Sequence, residues 1–432
     1  MKLLVFAHVP PPHHGQSYMV KLMLDSFGGD RRGGETADAP NDFGIECYHV
    51  NARFSKSLED IGEFQGTKIL LVFFYSLQAI WCRFRYGVEN FYYVPAPGKK
   101  VALYRDWLVM LLCRPFFKHV ILHWHAAGLG KWLETSAQMN SRVATYRLFH
   151  PVDLSIVLSK NVVADAEKLL SRRICIVNYG IPDPCPDFVE SVLPRRKARF
   201  AARRKWLNGE IPDSSELSRA GDDPQLIKVL YLAHCMKEKG LFDTLAAVAL
   251  ANADLLRTNS PVRLHLTVAG EFVNPADQIG FRKRIEQPDL QIGSGGAAKS
   301  CVTYLGFVSG ERKWNAFSNS DCFCFPTYYH AESFGLVAVE AMAFGLPVVT
   351  TRWRSLPEMF PSNYPGLVSI HSPDEVAAAL IKLVAQETGE SLRENFLNRF
   401  TVERHLGKLA EALHSVETAE PTSALQPAAQ NP

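Results

Sequence analysis

A chain of 432 residues with 47% hydrophobic and 21% charged side chains is long enough for two ordinary domains and too apolar to be disordered. Its formal net charge of +3 is too small to argue for nucleic acid. The nine cysteines, odd in number and mostly inside apolar runs, fit reduced core thiols of a cytosolic protein, with neither a disulfide framework nor zinc spacing.

The N-terminal run MKLLVFAHV is too short for a signal peptide and ends in prolines, so a first buried strand is expected there. Apolar runs at Leu3–Val9, Cys47–Val50, Lys68–Phe74, Val120–His123, Leu154–Leu158 and Ile174–Val177 alternate with helix-like segments. That order predicts βα units around a parallel sheet. Gly28–Gly44 reads as a polar surface loop or a disordered insert. Val101–Phe117, interrupted by Arg105, Asp106 and Arg114, is too short and too charged to span a bilayer.

Ligands of such sheets bind beyond the carboxyl ends of the strands, which directs attention to two loops. Pro10–Ser17 places Gly15 at a strand-to-helix turn, where backbone can approach a phosphate. In His119–Lys131, alternation turns His123 and His125 to one face and Trp124 to the other. No third ligand lies nearby for a metal. Histidines at a strand end are more often structural than catalytic.

Pro182–Pro186 reads as the exit from a first domain, residues 1–182, into a linker and polar insert, residues 183–225. The basic run Arg195, Arg196, Lys197, Arg199, Arg203, Arg204 and Lys205 fits either a solvated helix face or a contact with anionic lipid, with Phe200 and Trp206 dipping in. No aromatic platform accompanies it, so a nucleic acid partner is not expected. Ile211–Asp223 reads as a mobile insert. Strands are expected again at Leu226–Leu232, Arg263–Val268, Cys301–Leu305, Asp321–Phe325 and Leu346–Val349, giving a second doubly wound domain over 226–390. A long helix over 391–416 and a disordered tail over 417–432 complete the chain.

The most informative stretch is Pro326–Thr351, PTYYHAESFGLVAVEAMAFGLPVVTT. Glu332 follows an apolar run and a loop. Ser333 is a candidate N-cap, and Glu340 is the only polar residue of the expected helix Leu336–Phe344. A buried carboxylate there requires a ligand, a hydroxyl or a cation. Were the stretch helical throughout, the two carboxylates would stand about 12 Å apart along the axis. The backbone N–H groups of Phe334, Gly335 and Leu336 would face an anion between them.

This pattern resembles the donor-site signature of family 4 retaining glycosyltransferases (glycosyl transferases group 1). The resemblance implies a GT-B fold, in which two Rossmann-like doubly wound domains face across a cleft and a C-terminal helix crosses back to the first. It also implies transfer of a sugar from a nucleoside diphosphate to an acceptor hydroxyl. By resemblance, Glu332 holds the sugar, Glu340 the ribose, and the amides of Phe334, Gly335 and Leu336 the phosphates. His125, with His123 as runner-up, matches the histidine facing sugar and acceptor, and Gly15 the first loop.

In Ala233–Gly240, Lys239 and Gly240 match the family, whereas His234 replaces its usual arginine and is a weaker phosphate partner. Gly306 fits the loop flanking the base. Asn178–Pro182 contains Tyr179 between the family's Asn and Gly, and TRWRSLPE over 351–358 departs from its paired glycines. No metal or other cofactor is implied. The expected partners are a nucleotide sugar and a glycan or lipid-linked acceptor of bacterial surface polysaccharide or glycolipid synthesis. The expected location is the cytoplasm or the inner face of the cell membrane. The competing readings are a non-catalytic scaffold of the same fold and another enzyme on it, such as a sugar-nucleotide epimerase or a glycogen-type phosphorylase.

Overall fold

Short buried runs build two parallel sheets. The computed structural model describes residues 1–11, 15–33, 42–54, 66–221, 223–292, 299–385 and 389–418. In its first sheet, β1 (Lys2–Ala7), β2 (Glu46–Asn51), β3 (Asn90–Tyr93), β4 (His119–Trp124), β5 (Leu154–Val157) and β6 (Ile174–Ile176) lie in the order β2-β1-β3-β4-β5-β6, all parallel. Along β1 the side chains alternate: Leu4 and Phe6 enter one apolar cluster, Leu3, Val5 and Ala7 another. A strand covered on both faces has no polar side, hence its unbroken apolar run.

The second sheet is built from β7 (Leu226–Leu232) and β8 (Arg263–Ala269), then, after the small antiparallel pair β9 (Gln291–Ile292) and β10 (Lys299–Ser300), from β11 (Val302–Tyr304), β12 (Cys322–Phe325), β13 (Val348–Thr351) and β14 (Leu367–Val368). Its order is β11-β8-β7-β12-β13-β14. In each sheet the strand order reverses beside the first strand, so the crevices for ligands open after β1 and β7.

Four expectations are corrected. Lys68–Phe74 is no strand: it lies within helix α2 (Gly66–Tyr86), which follows α1 (Gly15–Ser26) and precedes α3 (Lys100–Cys113). An apolar run alone does not separate strand from buried helix. The buried residues Val72, Ser76, Ala79 and Cys82 carry helical spacing, and Asn90–Tyr93 supplies the strand instead.

Ile211–Asp223 contains an ordered helix, Ser214–Ala220. Asp213 Oδ1 accepts from Glu216 N, and Glu216 Oε2 accepts from Asp213 N, both at 2.9 Å. This is a capping box, and its D-x-x-E pattern stood in the sequence.

The basic run is no free cationic face. It forms the helix Leu193–Leu207, and Arg199 and Arg203 turn inward to Asp321, at 3.1 and 2.8 Å. Burial alone would raise the Asp321 pKa, but the Arg203 and Arg199 charges hold it down to about 2. Arg195 donates to Ser318 O at 2.6 Å, and Arg196 to Phe344 O at 2.6 Å and Gly345 O at 2.9 Å. Lys197 pairs with Glu390 and Lys205 with Glu216, leaving Arg204 outward. The run braces the second domain because buried carbonyls and a buried carboxylate need these donors.

The single helix expected over 391–416 is two: Gly389–Arg399 and Val402–Thr418. The chain breaks at Thr401 because the linker pairs with it. Ile181 N donates to Phe400 O, and Val402 N to Ile181 O, each at 2.9 Å. The second helix crosses back, putting Leu406, Leu409 and Leu413 into the cluster of Leu3, Val5 and Ile121. His13, His14, residues 34–41 of the expected Gly28–Gly44 loop and the tail from residue 419 lie outside the described residues.

Candidate active site

The loop after β12 keeps Glu332 out of any helix, and the helix Leu336–Ala343 starts only after Gly335. Gly335 has φ of 81°, and a Cβ there would meet Leu356 Cδ2 at 2.6 Å, so this N-cap requires glycine. Ser333 is therefore not the cap. Its Oγ instead donates to His125 O at 2.6 Å, joining the two domains. Phe334 is buried against Tyr179, ring centroids 5.3 Å apart, so only its backbone is available to a ligand.

Both glutamates hold lysines. Lys239 Nζ lies 2.7 Å from Glu332 Oε2 and over the rings of Tyr329 and Phe325, at 4.6 and 5.6 Å. Gly240 lets the loop after β7 close on the loop after β12: a Cβ there would stand 2.4 Å from Pro326 O. Glu340 Oε1 lies 2.5 Å from Lys313 Nζ, whereas Oε2 is buried with no hydrogen bond. Lys313, on the helix Gly310–Ser318, was missed because no motif marks it, although a buried Glu340 called for a cation.

From the first domain, α1 faces the same place. Burial and then the Glu340 charge raise the pKa of the Tyr18 phenol. Gly15 opens α1 with open space where its Cβ would be. His123 and His125 do share a face, their rings 4.1 Å apart. Tyr92 Oη lies 2.6 Å from His123 Nδ1 and 3.5 Å from His125 Nε2, and His125 Nδ1 meets the hydroxyl of Tyr179. Burial, then His125 and His405, hold His123 well below the usual histidine pKa, so its ring is neutral. Tyr179 was also missed; its signal was its insertion between Asn178 and Gly180.

His234 is half-buried, and burial followed by the Lys239 charge lowers its pKa. A neutral imidazole does not replace an arginine's charge. A different arginine stands nearby. Arg354 has φ of 49°, its Nε is buried without a hydrogen-bond partner, and its Nη2 would lie 3.6 Å from a Cβ on Gly128. Burial lowers its pKa, opposed by the charges of Asp165 and Glu332. Asp165 is occupied in accepting from Gly128 N at 2.6 Å and Gly130 N at 2.7 Å. The loop that departs from the family's paired glycines thus brings a guanidinium to the cleft. It also ties the domains, because Glu358 accepts from Lys160 N and Asn161 N at 2.9 and 3.1 Å.

Gly306, at φ of 68°, accepts from Gly270 N at 2.9 Å, with open space where a Cβ would be. Among the described residues, no three His, Cys, Asp or Glu side chains converge as a metal would require.

Two doubly wound domains closing on such a cleft define the GT-B class of glycosyltransferase fold. The chain superimposes on Anabaena HepE, solved with UDP and glucose, with TM-score 0.59 and 15% identity over 96% of this chain and 100% of that one. Sucrose-phosphate synthase from Thermosynechococcus elongatus gives TM-score 0.61 and 16% identity over 97% and 100%. Residues 216–399 match the family model of glycosyl transferases group 1. D-inositol 3-phosphate glycosyltransferase of Corynebacterium jeikeium is 35% identical over 27% of this chain and 27% of its own length. O-antigen chain mannosyltransferase B of Escherichia coli is 33% identical over 27% of this chain and 29% of its own. These matches span less than a third of either curated relative.

Proposed function

We propose that the chain is a retaining glycosyltransferase that moves a sugar from a nucleoside diphosphate to a hydroxyl of a glycan or lipid-linked acceptor. The observation that carries this reading is the pair of lysine-held glutamates flanking the start of one helix, Glu332 with Lys239 and Glu340 with Lys313. Glu340 Oε2, buried and unpartnered, is available to a ribose hydroxyl. Glu332 orients the sugar. Lys239, Arg354 and the amides of Phe334–Leu336 take the charge that develops on the diphosphate, the largest catalytic contribution expected at such a site. His234, held toward neutrality, contributes hydrogen bonding only.

In the reaction the bond from the anomeric carbon to the diphosphate oxygen breaks, and the acceptor oxygen bonds to that carbon on the same face. The acceptor's proton passes to the departing phosphate oxygen. His125, oriented by Tyr179, lines the sugar side. These cations are proposed to serve without a metal, so chelator should leave turnover unchanged. The O-antigen chain in the name of the Escherichia coli relative favours synthesis of a surface polysaccharide or glycolipid, and the inner face of the cell membrane is the proposed place of that work. UDP in the HepE structure makes UDP-sugars the first donors to test. A thermal-shift screen across UDP-, GDP- and ADP-sugars should show one class raising the melting temperature. A scaffold would respond to none.

A further inference from the structure

α2 is apolar on two opposite faces. Val72, Ser76, Ala79 and Cys82 are buried where it packs on β1, β2 and α3. Leu70, Phe73, Phe74, Leu77, Trp81 and Phe84 point the other way, from 42% exposed at Phe73 to 70% at Leu70. On a helical wheel the two sets are centred roughly 160° apart. The outer face of a helix in water is ordinarily polar, and a contiguous apolar area of this kind marks a surface that works covered. Phe116, in the 3-10 turn Arg114–Phe116 that follows α3, extends the stripe, its ring 5.9 Å from that of Phe84.

Charge indicates what covers it. From Gly66 to Lys118 the chain has eight Lys and Arg residues against two acids. Neither acid is free. Asp106 is fully buried, accepting from Tyr93, Ala96 and Arg105, and Glu89 pairs with Arg83 at 3.5 Å. Arg85, Lys99, Lys100 and Lys118 are exposed around the helix pair.

We propose that the outer face of α2 seats the protein on a bilayer containing anionic lipid. The aromatic and leucine side chains enter the boundary between headgroups and acyl chains, and the basic rim meets phosphates. α2 then lies along the surface, since no described helix is long and apolar enough to cross a membrane. This contact replaces the basic helix Leu193–Leu207, whose arginines face inward. It stands independently of the transfer reaction, and it lies on the domain opposite the lysine–glutamate pairs.

The test is flotation of the full chain with phosphatidylcholine vesicles and with vesicles also containing phosphatidylglycerol. The wild type should float with the anionic vesicles and far less with the neutral ones. Phe74→Glu combined with Leu77→Glu should cut the bound fraction at least about tenfold. Both side chains are exposed, so the melting temperature and nucleotide-sugar binding should not change. Phe74→Ser with Trp81→Ser should act in the same direction without added charge. A wild type that ignores anionic vesicles, or variants that float as it does, would overturn the proposal. So would a dimer in sedimentation velocity that the same substitutions split, which would assign the face to a second copy.

Discussion

Glu340 sets one carboxylate oxygen 2.5 Å from Lys313 Nζ and leaves the other buried without a hydrogen-bond partner. A buried acceptor in that state normally costs stability, so its persistence points to a ligand hydroxyl. If that hydroxyl belongs to ribose, a deoxyribose donor analogue should bind the wild type about tenfold more weakly. It should bind Glu340→Ala no worse than the ribose form does. Lys313→Met, which strands the carboxylate, should lower stability by about 3 kcal/mol, whereas Lys313→Arg should lose little. Calorimetry and denaturant unfolding read the two effects separately.

Arg354 occupies a left-handed backbone position with its guanidinium at the cleft. Holding a side chain in that conformation costs about 1 kcal/mol. Arg354→Gly should therefore raise thermal stability slightly while lowering turnover at least about tenfold. Equal turnover would return Arg354 to a structural role. Arg354→Ala, which keeps the strain and loses the charge, should lower turnover without the gain in stability.

His405 ties the crossover helix to the first domain, its Nδ1 2.8 Å from Asn178 O. Burial lowers its pKa from 6.5 to about 4, against the opposing effect of that bond. The unfolded chain takes up the proton near 6.5 and the folded chain only near 4, so folding stability falls as pH drops through this window. The loss assignable to His405 is about 3 kcal/mol. His405→Gln should flatten the acid limb of the stability profile by about that much. His8, likewise lowered to about 4, should leave a residual slope.

Much of this arrangement was legible in the sequence, and the exceptions have physical causes. Runs such as Leu226–Leu232 are buried on both faces and announce themselves as strands. The Glu332–Glu340 unit and Lys239 were readable because the residues that position them are local: Gly335 opens the helix and Gly240 closes the loop contact. α2 misled because its outer face is as apolar as its inner one, which erases the helical period. Arg199 and Arg203 looked like a free charge run because their partner, Asp321, is distant in sequence. Lys313 and Arg354 became visible only through folding, since neither lies in a motif and each is defined by what it faces across space.

The contact between Lys239 and Glu332 couples the sugar to the leaving group in the proposed reaction, because the same lysine is assigned to the diphosphate. The decisive measurement is single-turnover sugar transfer by Lys239→Ala and Glu332→Ala with the donor found to bind, each first shown to be folded. Transfer should fall at least about a hundredfold in both. Near-wild-type transfer by either folded variant would contradict the proposed reaction.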